Sequence, residues 1–162
     1  MSGENTATKI AQGYVLAGGG STRFGRDKAS VEIDGMAMLL RMRGLLSTVA
    51  TRVNVVAAAH KYSALGITGI SDRWEGQGPL AGIITALLST KESGAEGEWN
   101  LIIGCDMPFL TREWLSYLAE RAFASRAEVV SPRSVQGLSI RVPSPAKLDK
   151  CGKVNSLRMR QS

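Results

Sequence analysis

The chain has 162 residues, 44% of them hydrophobic and 21% charged, enough for one domain with a sizeable core and ordinary for a soluble globular protein. Its two cysteines, Cys105 and Cys151, and its single histidine, His60, exclude a disulfide framework, a zinc site that needs two histidines and any multi-histidine relay. The formal charge of +6 is confined to the C-terminal end, where the basic residues from Val130 onward face Asp149 alone; scattered among prolines and serines without helical spacing, they do not make a nucleic-acid footprint.

Met1 to Gln12 is polar and lacks the long apolar core of a signal peptide. No apolar run approaches membrane-spanning length, so the expectation is a cytoplasmic protein without membrane contact. Gly13 to Ala17 reads as a buried strand that ends in a glycine-rich turn. Met38, Leu39, Met42, Leu45, Leu46 and Val49 then recur at helical spacing. Val53 to Val56 is a second strand, and Ile67 to Ile70 a short third. His60, on the polar stretch between them, reads as a solvated loop residue, and no nucleophile-elbow sequence accompanies it. Pro79 suits the first position of a helix whose apolar stripe is Leu80, Ile83, Ile84, Leu87 and Leu88. Leu101 to Ile103 is an apolar strand that breaks at Asp106 and Pro108. Thr111 is a candidate N-cap, with Leu110 and Leu115 placed as a hydrophobic staple, and Leu115, Leu118, Ala119 and Ala122 form that helix's buried face. Glu128 to Ser131 is one more strand.

Strand and helix alternating at this pace predict an α/β fold, a mostly parallel twisted sheet between helices, with ligands beyond the carboxyl ends of the strands. Residues 1–131 form the predicted α/β domain. Residues 132–162 form a basic tail whose structure the pattern leaves open.

The strongest chemical signal is Leu16-Ala17-Gly18-Gly19-Gly20-Ser21-Thr22-Arg23-Phe24-Gly25-Arg26-Asp27-Lys28. Consecutive glycines after a strand let backbone N–H groups converge on an anion. Arg23 and Lys28 add positive charge, and Ser21 and Thr22 add short hydroxyl donors, a combination suited to a polyphosphate. A Walker loop is excluded because Arg26-Asp27 follows Gly25, and the dinucleotide fingerprint fails because Arg23 stands where it needs glycine. A plain glycine-rich turn would explain Gly18 to Gly20, but not Arg23, Gly25, Asp27 and Lys28.

This loop resembles the signature of the molybdenum cofactor guanylyltransferases, Leu-Ala-Gly-Gly-x-Ser-x-Arg-x-Gly-x-Asp-Lys, at every defining position from Leu16 to Lys28. The resemblance implies a three-layer α/β/α, Rossmann-like (glycosyltransferase-A-like) nucleotidyltransferase fold. It also implies transfer of GMP from GTP to the molybdenum-pterin cofactor, with molybdoenzymes or their chaperones as receivers of product. Gly104-Cys105-Asp106-Met107-Pro108-Phe109 is similar to the family's second motif, whose aspartate is a magnesium ligand. By itself an aspartate after an apolar strand is more often a turn former or helix cap; beside the first motif, Asp106 becomes the candidate magnesium ligand. The third element is Asp72 with Gly76 to Gly82. A helix starting at Pro79 presents free N–H groups, and the resemblance places Asp72, Gly78, Pro79, Leu80 and Gly82 at the nucleotide, with Leu16, Ala17, Gly18, Gly19, Gly20, Ser21, Thr22, Arg23, Gly25 and Lys28. Arg23, Lys28 and Asp106 are its catalytic candidates.

The chain departs from the family in two places. Ala57-Ala58-Ala59 stands where the family usually carries a base-contacting asparagine. After residue 131 the resemblance stops, as a divergent tail, a truncated gene or a shifted reading frame would make it. Two other readings therefore stay beside the first: a nucleotidyltransferase using CTP or another acceptor such as a sugar phosphate, and a nucleotide-binding module or remnant without catalysis.

Overall fold

A computed structural model of the chain describes residues 9–18, 27–95, 98–132 and the backbone of 138–141. Its main sheet has the order β5-β4-β1-β6-β8-β7, where β1 is Ile10–Leu16, β4 Ala50–Ala57, β5 Ile70–Ser71, β6 Trp99–Gly104, β7 Val129–Val130 and β8 Leu138–Arg141. The first four run parallel, with Leu16 of β1 in register with Val56 on one side and Gly104 on the other. The main helices are α1 (Met38–Ser47), α2 (Pro79–Glu92) and α3 (Arg112–Ala124).

The alternation of side chains along the parallel strands divides the core. Val15, Val55, Leu101 and Ile103 face α1 and α3, where Leu39, Met42, Leu46, Leu115 and Leu118 are buried with them. Tyr14, Val56 and Ile102 face the other way and pack with Ala86 of α2. The result is the expected α/β/α layering. Gly13 lies under α1: a Cβ there would come within 2.8 Å of Leu46 Cγ, so glycine sets how closely α1 approaches the sheet.

The layer on the α2 side is thin and partly polar. Its buried residues are Ala81, Gly82, Thr85, Ala86 and Thr90, while Leu80 and Ile84 from the apolar stripe lie exposed. Ile83 and Leu87 of the stripe pack against the core, but α2 approaches the sheet most closely through small residues, which turns Leu80 and Ile84 outward. Thr90 Oγ1 lies 2.8 Å from the Tyr14 hydroxyl and 2.5 Å from Asn100 Oδ1. This buried network supplies polar groups of β1 and β6 with partners that an aliphatic layer would deny them.

The structure extends the expected strands and adds others. The third strand is Ile70–Ser71 rather than Ile67 to Ile70, because Ile67 belongs to a turn whose N–H donates to the Tyr62 carbonyl and buries its side chain in the α1 side of the core. A hairpin, β2 (Glu32–Ile33) with β3 (Met36–Ala37), turns at Asp34-Gly35, both with positive φ. That Asp-Gly dipeptide is a hairpin signal. In the C-terminal segment, β8 lies between β6 and β7 and is antiparallel to both. Val129–Val130 therefore joins the sheet through a strand from further along the chain. Thr111 caps α3 as expected, its Oγ1 accepting the Trp114 N–H at 3.3 Å.

Candidate active site

The candidate site is the carboxyl edge of the parallel strands, where open α/β sheets place ligands. The end of β1 is pinned on both sides: Ala17 N–H donates to the Val56 carbonyl at 2.9 Å, and Cys105 N–H donates to the Leu16 carbonyl at 3.1 Å. Gly18 follows, exposed. Of the candidate phosphate-loop residues, Gly19, Gly20, Ser21, Thr22, Arg23 and Gly25 lie outside the described residues.

The chain resumes at Asp27, which caps a 3-10 turn over Lys28–Ser30: Asp27 Oδ1 accepts the Ala29 N–H at 3.2 Å. The turn sets Lys28 at the edge, its Nζ 3.8 Å from Asp106 Oδ2, with both side chains about half exposed. The two candidates that the sequence holds far apart thus meet in space. Asp106 follows β6, where Gly104 leaves room for its carboxylate: a Cβ on Gly104 would lie 3.0 Å from Asp106 Oδ1.

Asp72 closes the other side of β1. Its Oδ1 accepts from Thr85 Oγ1 and from Trp74 N–H, each at 3.1 Å, and its Oδ2 lies 3.5 Å from where a Cβ on Gly18 would stand. Gly78, with φ of 83°, is the N-cap of α2, and Pro79 occupies its first turn. Gly82, one turn on, packs against Leu16, whose Cδ2 would be 3.3 Å from a Cβ there. Leu16, Ala17, Gly18, Asp72, Gly82, Lys28 and Asp106 therefore line one edge. Leu80 belongs to the same helical turn with its side chain mostly exposed.

Three residues of this edge escaped the sequence analysis. Thr85 orients Asp72. Tyr62 is buried and donates its hydroxyl to the Ala17 carbonyl at 3.0 Å. Lys61 pairs with Asp27, Nζ to Oδ2 at 3.2 Å. Burial first, and then the nearby Asp27 carboxylate, holds the Tyr62 phenol well above its usual range. None of the three belongs to a local chemical pattern; their roles come from contacts distant in sequence. His60 is exposed as expected, with a positive φ of 59°.

Cys105 follows β6 and directly precedes Asp106. Burial, then Asp106 and Asp27, pushes its thiol up to about 11. The folded state therefore keeps a proton that the unfolded chain releases from about pH 9, and stability must fall as pH rises across that window. The expected result is a thermal midpoint that declines between pH 9 and 11 more steeply in the native protein than in Cys105→Ala. Equal slopes would show that the thiol is not held neutral.

Among the described residues no three His, Cys, Asp or Glu side chains gather in a metal-ligating group. A single half-exposed carboxylate does fit magnesium, which commonly takes one or two carboxylates and completes its shell with phosphates and water. An open depression of about 420 Å³ lined by Lys9, Arg43, Ser47 and Thr51 lies at the amino ends of β1 and β4, away from the edge where such sheets place ligands.

Comparison with known proteins agrees with this geometry. Residues 13–147 match the family model described as the MobA-like NTP transferase domain. The chain belongs to that family. It is 36% identical over 129 residues to the protein of Pelotomaculum thermopropionicum named "Probable molybdenum cofactor guanylyltransferase", a match that covers 79% of this chain and 60% of the relative. A solved protein of Aquifex aeolicus is 28% identical with a TM-score of 0.63, over 87% of this chain and 73% of that one. The fold is shared with molybdopterin-guanine dinucleotide biosynthesis protein A of Archaeoglobus fulgidus, at 21% identity and a TM-score of 0.62, over 80% of this chain and 67% of that one. The chain spans between 51% and 60% of the length of the curated relatives it matches. The family's nucleotidyltransferase domain is thus what the α/β/α layers build, and the match runs past residue 131 through β8. Among the described residues no helix is long and apolar enough to cross a membrane.

Proposed function

We propose that the chain is a cytoplasmic nucleotidyltransferase that takes GTP and transfers GMP to the terminal phosphate of the molybdenum-pterin cofactor, releasing pyrophosphate. The observation that carries this reading is the meeting of Lys28 and Asp106 at the end of β1, a cation and a carboxylate supplied by two separate motifs of the family. An acceptor phosphate oxygen attacks the α-phosphorus as the bond to the β-phosphate oxygen breaks. The acceptor is already anionic near neutral pH and needs no general base. The protein's work is then alignment and charge stabilisation. Lys28, with Arg23, would offset charge on the α-phosphate and the departing pyrophosphate, while the glycines from Gly18 to Gly20 and the hydroxyls of Ser21 and Thr22 would receive the phosphates. Gly25 would join them at the nucleotide. Asp72, Gly78, Pro79, Leu80 and Gly82 would bound the nucleoside. Asp106 would hold magnesium, which when bound neutralises part of the triphosphate charge.

A second reading changes the base. Ala57, where β4 ends, is buried, and neither it nor Ala58 or Ala59 offers a side-chain donor or acceptor to a guanine. Thermal unfolding with GTP, CTP and ATP, each with and without magnesium, tests both. A ligand at a hundredfold excess over its dissociation constant stabilises by about 2.7 kcal/mol. A shift specific to GTP and enlarged by magnesium is the expected result. A larger shift with CTP would favour the second reading, and no shift with any nucleotide would overturn nucleotide binding by this chain.

A further inference from the structure

Two neighbouring residues hold both ends of the glycine-rich segment. Tyr62, 4% exposed, donates to the carbonyl of Ala17, where β1 gives way to the glycines, at 3.0 Å. Lys61 pairs at 3.2 Å with Asp27, where the segment ends. Lys61 and Tyr62 also touch each other, Nζ lying 5.1 Å from the ring centroid, so the two grips act from one point. That point is a turn between β4 and β5, with His60 at positive φ and its carbonyl accepting from Ser63 N–H and Oγ.

The grip on Asp27 reaches the chemistry. Asp27 uses Oδ1 to cap the turn that begins at Lys28 and Oδ2 to bind Lys61. Lys28 in turn stands beside Asp106. Asp27 and Lys61 are each about one-third exposed, so their pair is less screened than the Lys28–Asp106 pair. Free of Lys61, the Asp27 carboxylate could rotate out of its cap, and the first residue of the turn would lose its fixed direction.

We infer that Lys61 and Tyr62 are positioning residues that clasp the two ends of the phosphate-binding segment, and that Lys61 acts on Lys28 through Asp27 rather than by touching phosphate. The inference rests on the proposed nucleotide site. Its value is that an otherwise unremarked loop between β4 and β5 would set the affinity for the triphosphate.

Calorimetric titration of the full chain with inorganic tripolyphosphate, and with GTP and magnesium, tests it. Lys61→Ala should weaken tripolyphosphate binding about tenfold, and Tyr62→Phe about fivefold, the scale of one lost charge-assisted or neutral hydrogen bond. Lys61→Arg should restore most of the loss. Thermal midpoints without ligand, measured alongside, should stay close to the native value for Lys61→Ala, because the side chain is partly exposed. The deciding variant is the double one. In an Asp27→Asn background, Lys61→Ala should have little further effect, since both changes break the same link. Losses that simply add would show that Lys61 binds phosphate directly and would overturn the inference, as would unchanged affinity in Lys61→Ala. A native chain that binds neither probe would instead overturn the proposed function, and the clasp with it.

Discussion

Lys28→Ala is expected to lower nucleotidyl transfer about a hundredfold or more, the scale of removing one fixed donor from a developing anion, while leaving the fold intact. The second half of that expectation follows from geometry. The Lys28–Asp106 pair is separated by 3.8 Å and about half exposed on both sides, and exposed pairs contribute roughly 0–1 kcal/mol. Lys28 opens a single 3-10 turn rather than a buried helix, so its side chain fills no cavity in the core. Such a residue contributes little to stability, which makes its loss a clean probe of chemistry. Pyrophosphate release from GTP, with magnesium and the pterin acceptor, is the readout, and the thermal midpoint is the control. Near-normal turnover would remove Lys28 from the mechanism. A collapse of the midpoint would show that the pair matters structurally, against the expectation from its exposure.

The same contrast between core and edge explains what was legible in the sequence. The parallel strands were readable because both their faces are buried: Leu101, Ile102 and Ile103 form an unbroken apolar run, and all three are covered. Helices α1 and α3 were readable because each presents one stripe to one side of the sheet. The face of α2 was legible in part, Ile83 and Leu87 packing on the core, but Leu80 and Ile84 were misjudged because close packing, not hydrophobicity, selects the residues that meet the sheet. Gly82 must approach Leu16, and Thr85 and Thr90 bond to Asp72, Tyr14 and Asn100, so Leu80 and Ile84 are displaced outward. β8 was missed for a different reason. A four-residue strand flanked by Pro132 and Pro143 carries too little alternation to stand out, and only its neighbours β6 and β7 give it a place.

At the candidate site, Lys28 and Asp106 stood out in the sequence because each lies in a short motif that resembles the family's, and the fold brings the two together. Thr85, Lys61 and Tyr62 carry no such signature. A buried tyrosine that bonds a carbonyl 45 positions away looks, in sequence, like any other core aromatic. What distinguishes it is the identity of the carbonyl, that of Ala17 at the mouth of the glycine loop, and this is a property of the fold alone.

Asp106→Asn should also reduce turnover about a hundredfold or more, because the cation that the carboxylate would hold stabilises charge at the reacting phosphates, but its binding signature should differ from that of Lys28→Ala. Two roles are available to Asp106. If it holds magnesium, the amide substitution should abolish the extra thermal shift that magnesium gives with GTP. GTP alone should then bind as well as before or better, because a negative charge has been removed from beside a polyanion. If instead Asp106 only orients Lys28 through their 3.8 Å contact, the substitution should weaken GTP binding equally with and without the metal. Only the second role predicts weaker binding in the metal-free measurement, so that measurement separates the two. Gly104→Ala supplies an independent check, since its methyl would press on Asp106 Oδ1 at 3.0 Å and touch Met107 Cε at 3.4 Å. A carboxylate whose exact position serves a metal should lose metal-dependent binding under that displacement, whereas one needed only for its charge should not.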